Sequence, residues 1–281
     1  MIKMNINNKK EIDTIKSFGD EWDLFDHSNI EIRDLMDSYN RNFYLLEEYG
    51  INKNLIGFDM GCGTGRWAKF ISPQVKKLYC IDPSEKALNK AKENLNSCKN
   101  IEYLCESVFD NSLQSNTFDF GYSIGVLHHV IDTKLAIKEC VKKLKKDSPF
   151  LMYIYFSFEN KSSIYRFIWR LSDVLRRVIS KLPFIFKVPI CSIIAIAIYL
   201  PLARLSLILS LIKIPVGEIP LSQYKNKKFY FMLNDALDRF GTPIENRFSK
   251  NEIKSMCEDS GLVDIKFSPY PNYWVCIGRK K

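Results

Sequence analysis

No Cys-x-x-Cys pair and no cysteine–histidine cluster occurs in the 281 residues, although the chain holds eight cysteines. Zinc sites and disulfide frameworks need such spacing or a secreted context, so no metal site is expected. The cysteines at 62, 80, 98, 105, 140, 191, 257 and 276 are scattered, and several fall in predicted strands or helices, where a thiol acts as a small hydrophobe. No secretory signal pattern opens the chain, so a reducing cytoplasmic setting is expected. Histidine is scarce: only His27, His128 and His129 are present. Acid is scarce in one segment. Between Lys161 and Lys213 nine bases stand against Asp173 alone, so this stretch carries +8 of the chain's net +9. The remainder is nearly neutral, which argues against a chain that coats nucleic acid and for one segment that meets something anionic.

Hydrophobic content of 46% with 13% aromatics is enough for a large core, with the Asn/Lys-rich first ten residues expected outside it. The organising stretch is Leu55 to Trp67, a short apolar run that ends in Asp59 and the glycines Gly61, Gly63 and Gly65. It reads as a buried parallel strand, a sharp turn and a helix N-terminus. Glycine permits left-handed backbone and close approach to a ligand, and free N–H groups at a helix start suit a carboxylate or phosphate. A dinucleotide loop would be G-x-G-x-x-G, but Arg66 stands where the third glycine belongs. Strands are predicted at 77–81, 101–104, 118–124 and 150–156, alternating with helices at 84–96 and 132–144. This rhythm implies a parallel, doubly wound α/β sheet, whose ligands bind beyond the carboxyl ends of the strands. The glycine loop, Asp82, Ser107 and Ser123–His129 all fall at such ends. Further on, Ser249–Glu252 is a capping box opening a helix that Gly261 ends, and strands are expected at 263–268 and 273–277.

Asp59-x-Gly61-x-Gly63-x-Gly65 and Phe118-Asp119-x-x-x-Ser123-x-x-x-Leu127-His128-His129 resemble the first motif and the fourth strand of the class I S-adenosylmethionine (SAM) dependent methyltransferases of the type 11 kind. The resemblance covers roughly residues 50–156 and 249–281. It implies a Rossmann-like, seven-stranded sheet with its last strand antiparallel, and SAM as cofactor. The cofactor residues it implies are Asp59, Gly61, Cys62, Gly63 and Gly65 for the methionine end, Asp82 and Pro83 for the ribose, Ser107 and Val108 for the adenine, and Ser123. Ser107 stands where the family usually has aspartate, which leaves the adenine amino group to Glu106 or to backbone near Val108. Two of the three histidines follow the fourth strand. An imidazole titrating near 6.5 suits proton removal from an acceptor. His128 is the expected base or acceptor-orienting residue, and His129 the residue that bonds backbone and holds the turn; both being structural is the alternative.

The organisation expected is an N-terminal helical cap over 1–49, a SAM-binding core over 50–156, a basic and apolar helical insertion over 157–248, and a closing helix and strand pair over 249–281. Ser17–Phe25 mixes aromatics with acids and reads either as a segment folding over a cleft or as a packing strap, ahead of a helix over 31–49. In the insertion, Ile164, Phe167, Ile168, Leu171, Val174, Leu175, Val178 and Ile179 form one stripe of a helix, with Arg166, Arg170, Arg176 and Arg177 mostly off it. The uncharged stretch Val188–Ala203 is shorter than the roughly 20 apolar residues that cross a bilayer, and Pro189, Pro201 and Arg204 interrupt the wider run. It reads as a re-entrant or surface-seated hairpin. The insertion is therefore a lid, or a contact with an anionic membrane surface through 161–213, with Tyr224, Tyr230, Asn234, Asp235, Arg239 and Arg247 available to line an acceptor pocket. The activity expected is methyl transfer from SAM to oxygen or carbon of a small-molecule or lipid-linked acceptor, in the cytoplasm or at the inner membrane face. The rivals are an RNA methyltransferase and a non-catalytic, membrane-associated scaffold with this fold.

Overall fold

The computed structural model describes residues 9–25, 32–159, 161–269 and 274–281. The sequence expectations for His27, Glu31 and Tyr273 lie outside the described residues. Two compact units are present: Met1–Ser157 with Ile244–Lys281, and Phe158–Pro243.

The first unit opens with α1 (Lys9–Leu24) and α2 (Ile32–Glu47), so Lys9 and Lys10, expected outside the fold, are already helical. The alternating part follows as β1 (Ile56–Met60), α3 (Ala68–Ile71), β2 (Lys77–Ile81), α4 (Glu85–Asn94), β3 (Ile101–Leu104), β4 (Phe120–Ile124), α5 (Thr133–Lys143) and β5 (Pro149–Ile154). Its helices begin where the sequence supplies side-chain oxygens: Ser84 accepts from the Ala87 N–H, and Asp132 from the Leu135 N–H. The strands form one seven-stranded sheet in the order β3-β2-β1-β4-β5-β7-β6, closed by β6 (Leu262–Phe267) and β7 (Trp274–Lys280). Strand β7 is antiparallel to both β5 and β6; the pairs among β1 to β5 are parallel.

Period-two alternation splits the side chains of the sheet into two dry layers. Phe58, Met60, Phe150 and Met152 face the α5 side, whereas Leu78, Cys80, Phe120 and Tyr122 face the side of α2, α3 and α4. The β1/β4 register rests on a reciprocal fit. Gly57 pairs with Phe120, and Phe58 with Gly121. A Cβ on Gly57 would lie 2.1 Å from the Phe120 ring, and one on Gly121 2.2 Å from the Phe58 ring. Each ring thus occupies the space that its partner's missing side chain leaves, and a one-residue slip would destroy both fits. Six of the eight cysteines are buried as free thiols.

The second unit comprises α6 (Ser163–Ile179), α7 (Phe184–Ile194), a π-helical turn (Ala195–Tyr199), α8 (Leu200–Leu211), and α9 (Phe229–Gly241). The expected hairpin is absent: Phe184–Leu211 is one continuous helix of 28 residues, with a mean hydropathy of 2.1 in its most apolar window, long and apolar enough by composition to cross a membrane. A proline removes a hydrogen bond and crowds the carbonyl four residues back, which usually breaks a helix. Here the widened turn stands directly before Pro201 and absorbs the misfit, so the chain continues without reversing. Lys187, Cys191, Ala195, Tyr199 and Ala203, four apart, form the buried side of this helix, and α7 packs on α9. The α6 stripe is one helical face as expected, but from Ile164 to Val178 it faces outward, with Ile164 74% exposed and Val174 61%, whereas Ile179, Asp173 and Arg176 are buried. In the first unit, Ser249 and Glu252 make the expected capping box, opening α10 (Lys250–Asp259).

Candidate active site

Four parallel strands, β1 to β4, end on one edge of the sheet, and each is followed by a residue group singled out from the sequence. After β1 the chain turns through Gly61, Gly63 and Gly65, whose φ angles are +83°, +54° and +78°. A Cβ on Gly61 would meet Val126 at 2.4 Å, and one on Gly65 would meet Leu95 at 2.5 Å, so larger residues are excluded by space as well as by backbone angle. The loop is tied to β2: Gly61 and Cys62 donate their N–H groups to the Ile81 carbonyl at 2.7 and 3.0 Å. Gly63 donates to Asp82 Oδ2 at 2.9 Å, and Ser84 donates to Asp82 Oδ1 at the same distance. Asp82 therefore stands half-buried between the loop and α4. Burial pushes its carboxyl up to about 6, against the pull of the Ser84 and Gly63 N–H groups. Pro83 beside it is exposed.

Asp59 is buried, and neither carboxylate oxygen has a hydrogen-bond partner. Tyr122 pairs with it across β1 and β4, yet its hydroxyl is unsatisfied as well. Burial pushes the Asp59 carboxyl well above the usual range; the nearby Tyr122 hydroxyl lowers it in part and the Asp82 charge adds to the rise. An orphaned buried carboxylate is costly, and a cation would relieve it. Ser123, at the end of β4, is fully buried and donates to the Met60 carbonyl at 2.7 Å, so its hydroxyl holds β1 to β4. Beyond β3, Ser107 and Val108 are buried in a turn closed by Asn111, which donates to both their carbonyls. Glu106 accepts from the Ser112 N–H and hydroxyl.

The histidines sit on a 3-10 turn, Leu127–His129, directly after β4. His128 is fully buried, both ring nitrogens lack a partner, and the ring stacks on Tyr155 at 3.8 Å. Burial, helped by the charges of His129 and Arg247, pushes its pKa well below the ordinary value, so the ring is neutral at pH 7. His129 Nδ1 lies 2.7 Å from the Ile244 carbonyl, and the ring meets Phe18 edge-on at 4.8 Å. Arg247 sits over Tyr155 at 4.7 Å and donates to Glu245 at 2.7 Å. Tyr155 and this arginine–glutamate pair complete the surroundings of the histidines. The only sequence signal for Tyr155 was its place just past the end of β5.

Helix α1 covers the same edge. The Trp22 indole lies over Gly63, 3.4 Å from where a Cβ would be, and the Arg66 guanidinium stacks on it at 5.6 Å. Phe18 stacks with Trp22, and Asp20 pairs with Lys86 of α4 at 2.7 Å. The candidate acceptor-lining residues divide between the units: Arg247 belongs to the first, whereas Arg239 joins an ion network with Asp173 in the second, and Asp235 there meets the hydroxyls of Tyr224 and Tyr199. Among the described residues no cluster of potential metal ligands occurs.

The arrangement fits SAM on its own terms: a glycine cradle, an orphaned buried carboxylate that a cation would satisfy, and a second carboxylate at the end of the neighbouring strand. Comparison with known proteins agrees. Residues 58–152 match the family model of a methyltransferase domain. The chain is 28% identical over 160 residues to the ubiquinone biosynthesis O-methyltransferase of Pelagibacter ubique, covering 54% of this chain and 65% of that protein. It is 30% identical over 105 residues to the demethylmenaquinone methyltransferase of Staphylococcus aureus, covering 36% of this chain and 43% of that one. It thus spans less than two thirds of either relative. Among solved structures, the methyltransferase candidate of Haloferax volcanii in complex with the Trm112 methyltransferase activator superposes with a TM-score of 0.52 at 10% identity, covering 92% of this chain and 97% of that one. A methyltransferase candidate from Bacillus halodurans gives 0.50 at 13% identity, covering 84% and 97%. At these identities the likeness is one of fold. Over residues 58–152 the chain is similar to a methyltransferase domain, and S-adenosylmethionine is the methyl donor that this likeness implies.

Proposed function

We propose that the protein moves the methyl group of SAM to an oxygen or carbon of a small-molecule or lipid-linked acceptor, a quinone precursor being the leading class. The observation that carries this reading is the convergence of the glycine turn, Asp82 and the histidine turn at the ends of β1, β2 and β4. Two relatives, one named for ubiquinone biosynthesis and one for methyl transfer to demethylmenaquinone, support the acceptor class. The insertion is read as the part that selects the acceptor and touches an anionic membrane, so in this reading the work is done in the cytoplasm, at the inner membrane face.

In this reading Gly61, Cys62, Gly63 and Gly65 offer backbone N–H groups to the methionine carboxylate, and Asp59 takes the ammonium. Asp82, already fixed by two backbone donors, accepts from the ribose hydroxyls, with Pro83 shaping that end. Ser107 and Val108 flank the adenine. Ser123 acts through backbone, because its hydroxyl is committed to Met60. Bound SAM supplies an activated electrophile; the chain's task is to align the acceptor, exclude water and receive a proton. His128 is the proposed acceptor of that proton: it is neutral and its nitrogens are uncommitted. Its lowered basicity suits a proton that leaves together with methyl transfer, from an acidic hydroxyl or carbon acid. His129 holds the turn through Ile244.

The test is SAM binding by calorimetry, followed by transfer of labelled methyl into organic-phase extracts containing demethylated quinones. Asp82→Ala should weaken SAM binding by at least about 100-fold, as expected for losing two charge-assisted hydrogen bonds. Unchanged affinity would undo the ribose assignment. Label appearing in RNA and not in the organic phase would replace the acceptor class.

A further inference from the structure

We infer that the second unit is turned inside out for lipid: α6 and the outward side of the Phe184–Leu211 helix seat in one leaflet of an anionic bilayer without crossing it. This deepens the membrane part of the reading above and does not depend on its chemistry. Of the twenty-one large hydrophobic side chains exposed among the described residues, seventeen belong to this unit. Phe167, Val174 and Val178 on α6 are about 60% exposed, and Ile185, Ile193 and Leu211 on the long helix are 64–75% exposed. Water-soluble monomers do not leave contiguous apolar faces of this size uncovered.

The interior of the unit sets a buried ion network beside its apolar side chains, among them Tyr199, Met232, Leu237 and Phe240. Arg176 donates to Asp173 at 2.7 Å and to the Thr242 carbonyl at 3.0 Å. Arg239 donates to Ser172 at 3.2 Å, and buried Lys187 donates to the Gly241 carbonyl at 2.8 Å. Satisfying charged groups internally while turning aliphatic side chains outward is what a hydrocarbon solvent selects.

The charge of the unit chooses the occupant. It holds thirteen Lys and Arg against five Asp and Glu, a net of +8. Arg166, Arg170, Arg177 and Lys181 are exposed along or just beyond α6. A second copy would set +8 against +8, whereas anionic headgroups complement bases that flank an apolar face. The depth follows from the inner side of the long helix. It packs on α9, which carries Asn234, Asp235, Asp238 and Arg239. Crossing the bilayer would drag that polar helix into hydrocarbon, whereas lying along one leaflet leaves it on the aqueous side.

The test is co-flotation of the full chain with phosphatidylcholine vesicles with and without phosphatidylglycerol, followed by an alkaline carbonate wash. Binding should need the anionic lipid, and the wash should release the protein. Arg166→Gln with Arg170→Gln should weaken binding about fivefold per charge removed, and Val174→Asp with Val178→Asp more than tenfold. Both variants should keep the wild-type thermal response to SAM, which shows that they fold. No binding to anionic vesicles would overturn the inference, as would resistance to the wash, which marks a spanning helix. A wild-type dimer that the α6 aspartates split would overturn it too. If wild type shows no SAM response while vesicle binding persists, the cofactor reading fails and this one stands; circular dichroism then reports folding of the variants.

Discussion

The two units obey the same rule in opposite directions. In the sheet unit, aliphatic and aromatic side chains fill two dry layers, and polar groups stand at the strand ends: Asp59 on β1, Asp82 after β2 and the histidines after β4. In the helical unit the apolar stripe of α6 points outward, and Asp173 with Arg176 is buried. Burial energy follows contact with solvent, so an apolar side chain stabilises a fold only where folding removes it from water. The aliphatic residues of α6 therefore contribute little to stability in water, and the helical unit is held by the packing of α7 on α9, with Ala195, Ala236 and Leu237 buried, together with the ion network.

Substitutions break the comparison most sharply in the core. Gly121→Ala places a methyl group 2.2 Å from the fully buried Phe58 ring. Overpacking of this kind should lower unfolding free energy by about 3 kcal/mol, and Phe58→Leu in the same chain should recover part of the loss. Val174→Ala in α6 removes an aliphatic group of similar kind but should change stability by less than about 0.5 kcal/mol in buffer. Urea unfolding of the three variants measures both. Equal losses would show that the α6 stripe is covered in solution.

Asp173 gives the reciprocal test at a slightly smaller scale. Its carboxylate meets Arg176 at 2.7 Å and Arg177 at 2.9 Å. Asp173→Ala leaves the buried Arg176 without a counter-charge and should destabilise the helical unit by about 2–3 kcal/mol. SAM binding, which belongs to the other unit in the proposed reading, should persist. Limited proteolysis should show new cleavages within 158–243, with the sheet unit intact; cleavage spread over both units would mean that the two do not respond separately.

Much of the sheet unit was legible because each signal was local. Three glycines after a buried strand demand left-handed backbone, and Ser84, Asp132 and Ser249 mark helix starts by side-chain oxygens at the right offset. The same locality hid the rest. The spacing of Ile164 to Ile179 defines a helical face but carries nothing about which solvent that face meets. Pro189 and Pro201 argued for a broken hairpin, because the π-helical turn that keeps the helix continuous has no sequence signature of its own. Ser123 is expected at the cofactor through its backbone; that its hydroxyl ties β1 to β4 is a contact between strands that no local pattern signals. Trp22 over Gly63 and Tyr155 under His128 arise from segments far apart in sequence.

The smallest predicted effect separates the units by proton uptake. Asp82 is raised to about 6 by burial, against the backbone donors of Ser84 and Gly63. Asp173 is held below its usual value: burial alone would raise it, but the Arg176 and Arg177 hydrogen bonds and the charges of Arg176 and Arg239 prevail. The two have opposite linkage signs. Below pH 6 folded Asp82 takes up a proton while the unfolded carboxyl, near 3.9, does not, so this group adds stability to the SAM-free chain as pH falls from about 6.5 to 4.5. Asp173 contributes its stability above about pH 4 and loses it as pH falls further, through its lowered pKa. Because only the ionised Asp82 accepts from both ribose hydroxyls, SAM affinity should fall about tenfold between pH 7 and pH 5, the proton released per SAM bound rising from about 0.1 at pH 7 to about 0.9 at pH 5. Calorimetry across this range in buffers of differing ionisation enthalpy counts that proton. Asp59, buried nearby and raised as well, is the competing source, so Asp59→Asn is the control. A slope kept in Asp59→Asn and absent in Asp82→Asn assigns the proton to Asp82, and a slope lost in Asp59→Asn assigns it to the orphaned carboxylate of β1.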